Sequence, residues 1–77
     1  MTINVRFFAS LREQIGTGEM GLEFQACLTV EDVWNLSTNQ RSLPANVLVA
    51  VNQEYVSLNE SVQDGDEVAF FPPVTGG

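Results

Sequence analysis

The chain has 77 residues, which is enough for one domain and too few for a second hydrophobic core. Ten acidic residues stand against three arginines, with no lysine and no histidine, and the net charge of -7 disfavours nucleic acid and anionic membranes, since both attract clustered basic side chains. Cys27 is the only cysteine, so no internal disulfide can form, and we expect a reducing compartment.

The N-terminal residues contain no basic leader followed by an apolar run, and no segment reaches transmembrane length. We therefore expect a soluble, cytoplasmic protein. Its acidic surface would attract a basic protein partner and speed association with it, although the same charge also serves simple solubility.

The N-terminal third predicts a strand hairpin that contains a short helical stretch. Residues 3–7 alternate with the period of a half-buried strand, and residues 22–25 alternate in the same way. Between them, residues 10–15 shift to helical spacing. Three glycines are predicted to bracket the turn, and the first of them also to stop the helical stretch: Gly16, Gly18 and Gly21.

A longer helix is predicted in the middle of the chain. Thr29 followed by Asp32 resembles a capping box, which places the helix start, and we expect the helix to end near Asn39–Gln40. Leu36 falls outside the apolar stripe, and Leu43–Pro44 marks a loop. The stripe itself consists of Val30, Val33 and Trp34.

Three more strands are predicted in the C-terminal half, at residues 47–51, 55–56 and 67–71. The first of them is a continuous apolar run, which is typical of a central strand buried on both faces. Turns are predicted at residues 52–54 and 64–66. Pro72 and Pro73 end the last strand, because neither can donate a hydrogen bond to a ladder.

The order strand, strand, helix, strand, short strand, strand belongs to the α+β class. It fits the β-grasp (ubiquitin-like) fold, in which one mixed sheet carries a helix packed on one face. We expect residues 1–72 to form this domain and residues 73–77 to form a flexible C-terminal tail that ends in Gly-Gly.

Most enzymatic chemistry lacks the residues that it needs. Without histidine, neither a Ser-His nor a Cys-His nucleophilic pair can form, and one cysteine cannot build a zinc site. No lysine is present to complete a phosphate-binding loop. Asp64, Asp66 and Glu67 could form a calcium or magnesium cluster, but a turn is the favoured interpretation, with Asp64 bonding its own backbone beside Gly65. We predict no metal site and no bound cofactor.

Cys27 has two interpretations. A sulfur-handling protein could use it as a thiolate, but no lysine or histidine is available to favour that form. Its position between a predicted strand and a helix cap suits a small buried apolar residue, and this structural role is the favoured interpretation.

The segment from Phe71 to Gly77 is the remaining candidate for chemistry. Its two prolines keep the first part extended, and Gly76 and Gly77 have no side chains, so this end could enter a channel too narrow for other residues. A terminal carboxylate becomes a good electrophile once it is converted to an acyl-adenylate, and a sulfur donor can then leave a nucleophilic thiocarboxylate. A bare Gly-Gly end is a weak signal by itself, since frayed tails often have this composition.

Both ends of the chain resemble one family. The opening Val5–Glu13 and much of the stretch Val51–Gly77, which closes on F-P-P-V-T-G-G, are similar to the small subunits of molybdopterin synthase. The middle, from about Thr17 to Ala45, adds little beyond a plausible strand and helix. The run before the glycines is not typical of the thiamine-pathway sulfur carrier or the eukaryotic ubiquitin-related modifier, which share the β-grasp fold and the Gly-Gly end.

The resemblance implies a sulfur carrier that works through Gly77. An adenylating enzyme similar to ubiquitin-activating enzymes would use ATP to load AMP onto Gly77, and a sulfur donor would replace the AMP. The thiocarboxylated tail would then enter the large subunit of molybdopterin synthase and give its sulfur to cyclic pyranopterin monophosphate, forming molybdopterin. Catalytic residues would belong to the large subunit, and the two kinds of subunit would form a heterotetramer. The residues expected to enter with Gly77 are Pro73, Val74, Thr75 and Gly76.

A partner-binding surface is also expected. If Phe7 and Phe70 face the core, strand alternation turns Phe8 and Phe71 to the face that a single helix leaves open. Exposed aromatic residues often mark a binding surface, unless a loop covers them. We assign Phe8 and Phe71, together with Arg12, to contact with the large subunit.

Other functions remain open. The chain could be a carrier of the thiamine-pathway or ubiquitin-related type, or a ubiquitin-like interaction domain whose tail is inert. Adding one residue after Gly77 separates the last possibility from a carrier, because only a carrier should lose activity. A stand-alone enzyme is disfavoured by the missing catalytic groups.

Overall fold

The fold is seen in a computed structural model that describes residues 2–23, 28–39 and 47–72. Some predictions lie outside these ranges, namely those for residues 24–25, Cys27, Leu43–Pro44 and residues 73–77. The described elements in chain order are β1 (Thr2–Phe7), α1 (Ala9–Ile15), β2 (Glu19–Glu23), α2 (Val30–Ser37), β3 (Leu48–Val51), β4 (Glu54–Val56) and β5 (Glu67–Phe71). None of the helices in this part of the chain is long and apolar enough to cross a membrane.

The described strands form one mixed sheet in the order β2-β1-β5-β3-β4. The central strand β5 runs parallel to its neighbour β1, whereas β1–β2, β3–β5 and β3–β4 are antiparallel pairs. The predicted hairpin of the first two strands and the predicted single mixed sheet are therefore confirmed.

One face of the sheet packs against α2 to form the core. Trp34 of α2 is fully buried and meets Phe7 and Phe70 edge to face, with ring centroids 5.9 Å and 5.1 Å away. Such pairs add to the free energy gained from area burial. The other fully buried side chains, which come from both ends of the chain and from the helices, are Ile3, Val5, Leu11, Val30, Val33 and Val68.

The predicted capping box of α2 is confirmed. The Asp32 N–H donates to the Thr29 hydroxyl over 3.3 Å, and the Thr29 N–H donates to the Asp32 carboxylate over 3.0 Å. The N–H groups of Val30 and Glu31 donate to carbonyls of the segment between β4 and β5. Because Val33 begins the intrahelical bonds by donating to the Thr29 carbonyl, every amide of the first turn has a partner.

The helix end near Asn39–Gln40 was predicted wrongly, since α2 ends at Ser37. The hydroxyls of Ser37 and Thr38 both donate to the Trp34 carbonyl, over 3.3 Å and 2.7 Å, and compete with continuation of the helix. Asn39 then takes a left-handed conformation with φ 57°. The predicted element order also counted one helix, whereas the helical spacing of residues 10–15 belongs to a second helix, α1.

The predicted start of the second strand was also wrong, because β2 begins at Glu19. The turn into β2 ends earlier in the chain than expected. The Phe7 N–H donates to the Gly18 carbonyl, and the Thr17 hydroxyl donates to the Glu19 carbonyl and accepts from the Glu19 N–H. Gly21 consequently lies inside β2 opposite Asn4 and not in the turn.

The prediction that residues 47–51 are buried on both faces was wrong at one end. Val49 faces the core and Ala50 is also covered, but Leu48 is 36% exposed. Leu48 pairs with Phe71 on the face of the sheet that α2 does not cover. That face is open for the reason anticipated from the sequence, which is that one helix layer covers one side only.

The acidic turn before β5 uses a different carboxylate from the predicted one. Asp66, and not Asp64, accepts from the Gln63 N–H over 2.7 Å, and it also accepts from the Asn52 side-chain amide over 2.9 Å. Gly65 supplies the left-handed residue with φ 87°. In the described ranges, no group of three or more potential metal ligands occurs.

Candidate functional site

The candidate site begins on the open face of the sheet. Aromatic rings lie on this face because successive side chains of a strand point to opposite faces of the sheet. Phe7 and Phe70 are buried in the core, so Phe8 and Phe71 turn to the opposite face. The Phe8 N–H donates to the Phe70 carbonyl over 3.1 Å, which extends the β1–β5 pairing by one residue and fixes Phe8 beside Phe71.

Three rings and one leucine on this face form the aromatic patch, which we define as Phe8, Leu48, Tyr55 and Phe71. Phe8 and Phe71 stack with ring centroids 4.8 Å apart, and Tyr55 meets Phe71 edge to face at 6.1 Å. Phe8 is 38% exposed and Tyr55 is 72% exposed, whereas Phe71 is half-buried between them. Apolar surface of this kind on a small domain is typical of a docking site.

The sequence identified half of this patch. Phe8 and Phe71 follow from alternation within single strands, and the structure brings them together as expected. Tyr55 and Leu48 were missed, because their positions depend on strand register: Ala50 pairs with Tyr55, and Leu48 pairs with Phe71. Alternation within β3 could have placed Leu48 on the open face, had the run not been assigned two buried faces.

A strained backbone residue holds Phe8 at the edge of the patch. Ala9 has φ 51°, a left-handed conformation that costs a non-glycine residue about 1–2 kcal/mol. It bends the chain from β1 directly into α1, and the Leu11 N–H then donates to the Phe8 carbonyl over 3.1 Å. The N–H and the C=O of Phe8 are thus both bonded, so its ring direction is set by the backbone.

Arg12 does not lie among the rings but in a neighbouring hollow of about 360 Å³, which is lined by Arg6, Arg12, Thr17, Gly18 and Glu19. Arg6 joins the hollow to the patch, since its guanidinium lies 5.5 Å from the centroid of the Phe8 ring. Arg6 also faces two carboxylates, those of Glu19 at 3.7 Å and Glu67 at 3.5 Å. The sequence did not identify Arg6 as a site residue.

The chain leaves the patch toward its C-terminus. β5 lies between β1 and β3, ends at Phe71 and is followed by half-buried Pro72. Residues 73–77, with the predicted roles of Gly76 and Gly77, lie outside the described ranges and stay predictions. The last described residues therefore connect the aromatic patch directly to the segment for which chemistry is predicted.

Solved structures share this fold over almost the whole chain. The crystal structure of SAMP1 from Haloferax volcanii has a TM-score of 0.80 and 27% identity, and covers 100% of both chains. A putative molybdopterin converting factor subunit 1 from Pyrococcus furiosus has a TM-score of 0.78 and 30% identity, and covers 96% of this chain and 99% of that one. These similarities confirm the predicted β-grasp fold.

A more distant structure is the complex of subunits 1 and 2 of molybdopterin-converting factor from Helicobacter pylori. Its matching chain has a TM-score of 0.67 and 22% identity, with 100% of both chains covered. At that identity the likeness supports the fold alone.

Sequence relatives agree with the structural neighbours. The molybdopterin synthase sulfur carrier subunit of Escherichia coli (strain K12) is 44% identical over 84 aligned positions, covering 97% of this chain and 99% of the relative. The subunit of the same name from Haemophilus influenzae is 43% identical with the same coverage. The resemblance to the small subunits of molybdopterin synthase is thus confirmed. A family model described as the ThiS family matches residues 5–77, so this chain belongs to the ThiS family.

Proposed function

We propose that the protein is the sulfur carrier subunit of molybdopterin synthase. The observation that carries this proposal is the end-to-end match, at 44% identity, to a relative with that name. A carrier needs a surface that docks and a terminus that reacts. The aromatic patch on the open face supplies the first, and the F-P-P-V-T-G-G end, which starts at the last residue of β5, supplies the second.

The chemistry that we propose takes place at the carboxylate of Gly77. A carboxylate oxygen attacks the α-phosphorus of ATP on an adenylating enzyme, pyrophosphate leaves, and an acyl-adenylate results. A sulfur donor at the oxidation level of sulfide then attacks the acyl carbon through its sulfur and AMP leaves, which makes the terminus a thiocarboxylate. Because activation consumes ATP, we place this step in the cytoplasm.

Delivery is proposed to occur inside a complex. The Escherichia coli relative, which is 44% identical, is named a subunit of molybdopterin synthase, and this name supports a partner subunit for this chain as well. The aromatic patch would dock on that subunit, with Gly76 and Gly77 inserted and cyclic pyranopterin monophosphate as the sulfur acceptor. We propose a heterotetramer with two copies of each chain, in which the large subunit supplies the catalytic residues.

The test is in vitro loading with ATP, an adenylating enzyme and sulfide, followed by mass spectrometry of the intact chain. We expect the mass shift for replacement of one carboxylate oxygen by sulfur, and formation of molybdopterin when the large subunit and its substrate are added. The matched control carries one extra residue after Gly77 and should gain no sulfur. An unloaded wild-type chain, or a loaded control, would contradict the proposal.

A second candidate function is a protein modifier. The structural neighbour SAMP1 is a small archaeal modifier protein, and an activated Gly77 could in principle acylate a lysine amine on another protein. This chain contains no lysine and could not serve as its own side-chain acceptor. Covalent conjugates on other proteins, absent when Gly77 is extended by one residue, would favour this second function.

A further inference from the structure

The basic side chains of the described residues are gathered in one place. The chain carries a net charge of -7, yet Arg6 and Arg12, the two arginines in residues 2–23, 28–39 and 47–72, line the same hollow next to the aromatic patch. Two basic side chains thus line the hollow together with one acidic side chain, Glu19.

One donor of Arg6 is unused, although its Nη1 donates to the Glu67 carboxylate over 3.5 Å. Its Nε is shielded from solvent and has no hydrogen-bond partner within the described part of the chain. The carboxylate of Glu19 is 3.7 Å from this Nε, which is too far for a hydrogen bond, and that side chain is 70% exposed. A shielded donor without a partner destabilises the free chain, so an acceptor that reaches it on docking would add to the affinity.

Arg12 is placed for the same task. It forms no ion pair with the other described residues, and its side chain lies across Gly18. A Cβ at Gly18 would come within 2.9 Å of the Arg12 Nε and 3.1 Å of its Cδ, so the absence of a side chain at Gly18 gives Arg12 this position. Guanidinium groups bind carboxylates through paired N–H donors, which suits them to oxyanion recognition.

We propose that the hollow between Arg6 and Arg12 is a carboxylate-recognition site, filled by an acidic side chain of the protein that docks on the aromatic patch. The inference deepens the proposed function and rests on it, because the docking protein is then the large subunit. Arg6 ties the two surfaces together, since its guanidinium lies both over the Phe8 ring and in the hollow. Glu19 would occupy the site loosely in the free chain and give way on docking.

The direction in which a substitution changes the binding affinity distinguishes a local carboxylate site from attraction by the net charge of the whole molecule. If the net charge of -7 alone guided docking onto a basic partner, removing an arginine would tighten binding and removing a glutamate would weaken it. Local carboxylate recognition predicts the reverse for Arg6, Arg12 and Glu19.

The experiment measures affinity for the purified large subunit by calorimetry at low and at physiological salt. We expect Arg6→Gln and Arg12→Gln each to weaken binding about five- to tenfold at low salt and to reduce its salt dependence. Gly18→Ala, which keeps every charge but displaces Arg12, should weaken binding by a smaller factor. Glu19→Gln should leave affinity unchanged or raise it.

Glu23→Gln is the matched control, because Glu23 lies on the same strand and face as Glu19 but does not line the hollow. It should show only the small weakening that loss of one negative charge causes. Arginine variants that remain folded by circular dichroism and bind as tightly as wild type, or more tightly, would overturn the carboxylate site while leaving the proposed function intact. A wild-type chain that fails to bind the large subunit would overturn both.

Discussion

Two adjacent residues in the turn between β3 and β4 show how a single side chain decides whether backbone strain is compensated. Asn52 and Gln53 have φ 51° and 72°, both in the left-handed region. The Asn52 side chain accepts from the Glu67 N–H over 3.0 Å and donates to Asp66 over 2.9 Å, which fastens the turn to the start of β5. Asparagine tolerates this conformation well, whereas glutamine does not.

Gln53→Gly should therefore stabilise the domain by about 0.5–1 kcal/mol, because glycine removes the left-handed penalty. Asn52→Ala should destabilise it by about 1–3 kcal/mol, because it loses two hydrogen bonds and keeps the strain. Urea unfolding monitored by tryptophan fluorescence checks both, since Trp34 is the only tryptophan and lies in the core. A stabilising Asn52→Ala would show that the side-chain network contributes nothing.

Gly76 is the residue at which the channel hypothesis can be tested. If the tail enters a narrow passage in the large subunit, Gly76→Val should lower product formation about a hundredfold, since a displacement of about 1 Å at a reacting centre has that effect. The free energy of unfolding should change by less than about 0.5 kcal/mol, because Gly76 follows the last strand in the sequence.

The Gly76→Val chain should be prepared chemically as the thiocarboxylate, so that a failure of adenylation is not mistaken for a failure of transfer. Affinity for the large subunit should survive in part, because the aromatic patch still docks. Normal product formation by the loaded variant would rule out a channel that selects for glycine.

At the scale of elements, the open face of the sheet separates binding from folding. Each strand pairs a core-facing set of residues with an outward set, so the outward set can change without removing core contacts. Phe8 and Phe71 belong to the outward set and stack on each other, whereas Trp34 packs against Phe7 and Phe70. The core therefore keeps its packing when these two rings are altered.

A Phe8→Glu/Phe71→Glu double variant should weaken binding to the large subunit at least tenfold and leave the domain folded. Leu36→Glu provides the control, because Leu36 is 47% exposed on α2, outside the patch, and adds the same kind of charge. Calorimetry measures the affinity of each variant for the large subunit, and thermal melts show whether each variant is folded. Equal binding by the double variant and by the control would exclude the patch from docking.

For the whole molecule, the main electrostatic effect is repulsion among its acidic side chains. A net charge of -7 on 77 residues destabilises the compact state, and only two ion pairs, both from Arg6, appear among the described residues. Both pairs are partly exposed and thus contribute little.

Raising NaCl from about 10 mM to about 150 mM should therefore increase the melting temperature by several degrees, because the Debye length falls from about 30 Å to about 8 Å. A Glu13→Gln/Glu23→Gln variant, with two fewer negative charges on exposed side chains, should show a smaller increase. A melting temperature that falls with salt would show that the Arg6 pairs outweigh the repulsion.

The sequence by itself determined the features that depend on neighbouring residues. Alternation in β1 and β5 predicted that Phe7 and Phe70 face the core, and Thr29 with Asp32 predicted the start of α2. Both patterns are local, because strand alternation and helix capping act over two to four positions. The resemblance of the sequence to known small subunits indicated the family and predicted that the chain reacts at Gly77.

Tertiary structure decided what depends on distant segments. Strand register brought Leu48 and Tyr55 to Phe71, and it set Arg6 between Glu19 and Glu67. Unlike the end of α2, which local hydrogen bonds from Ser37 and Thr38 to the Trp34 carbonyl set, the exposure of Leu48 in β3 was decided by the single helix layer. These outcomes rest on contacts between residues far apart in the chain, and a local pattern carries no information about which distant strand will lie beside it.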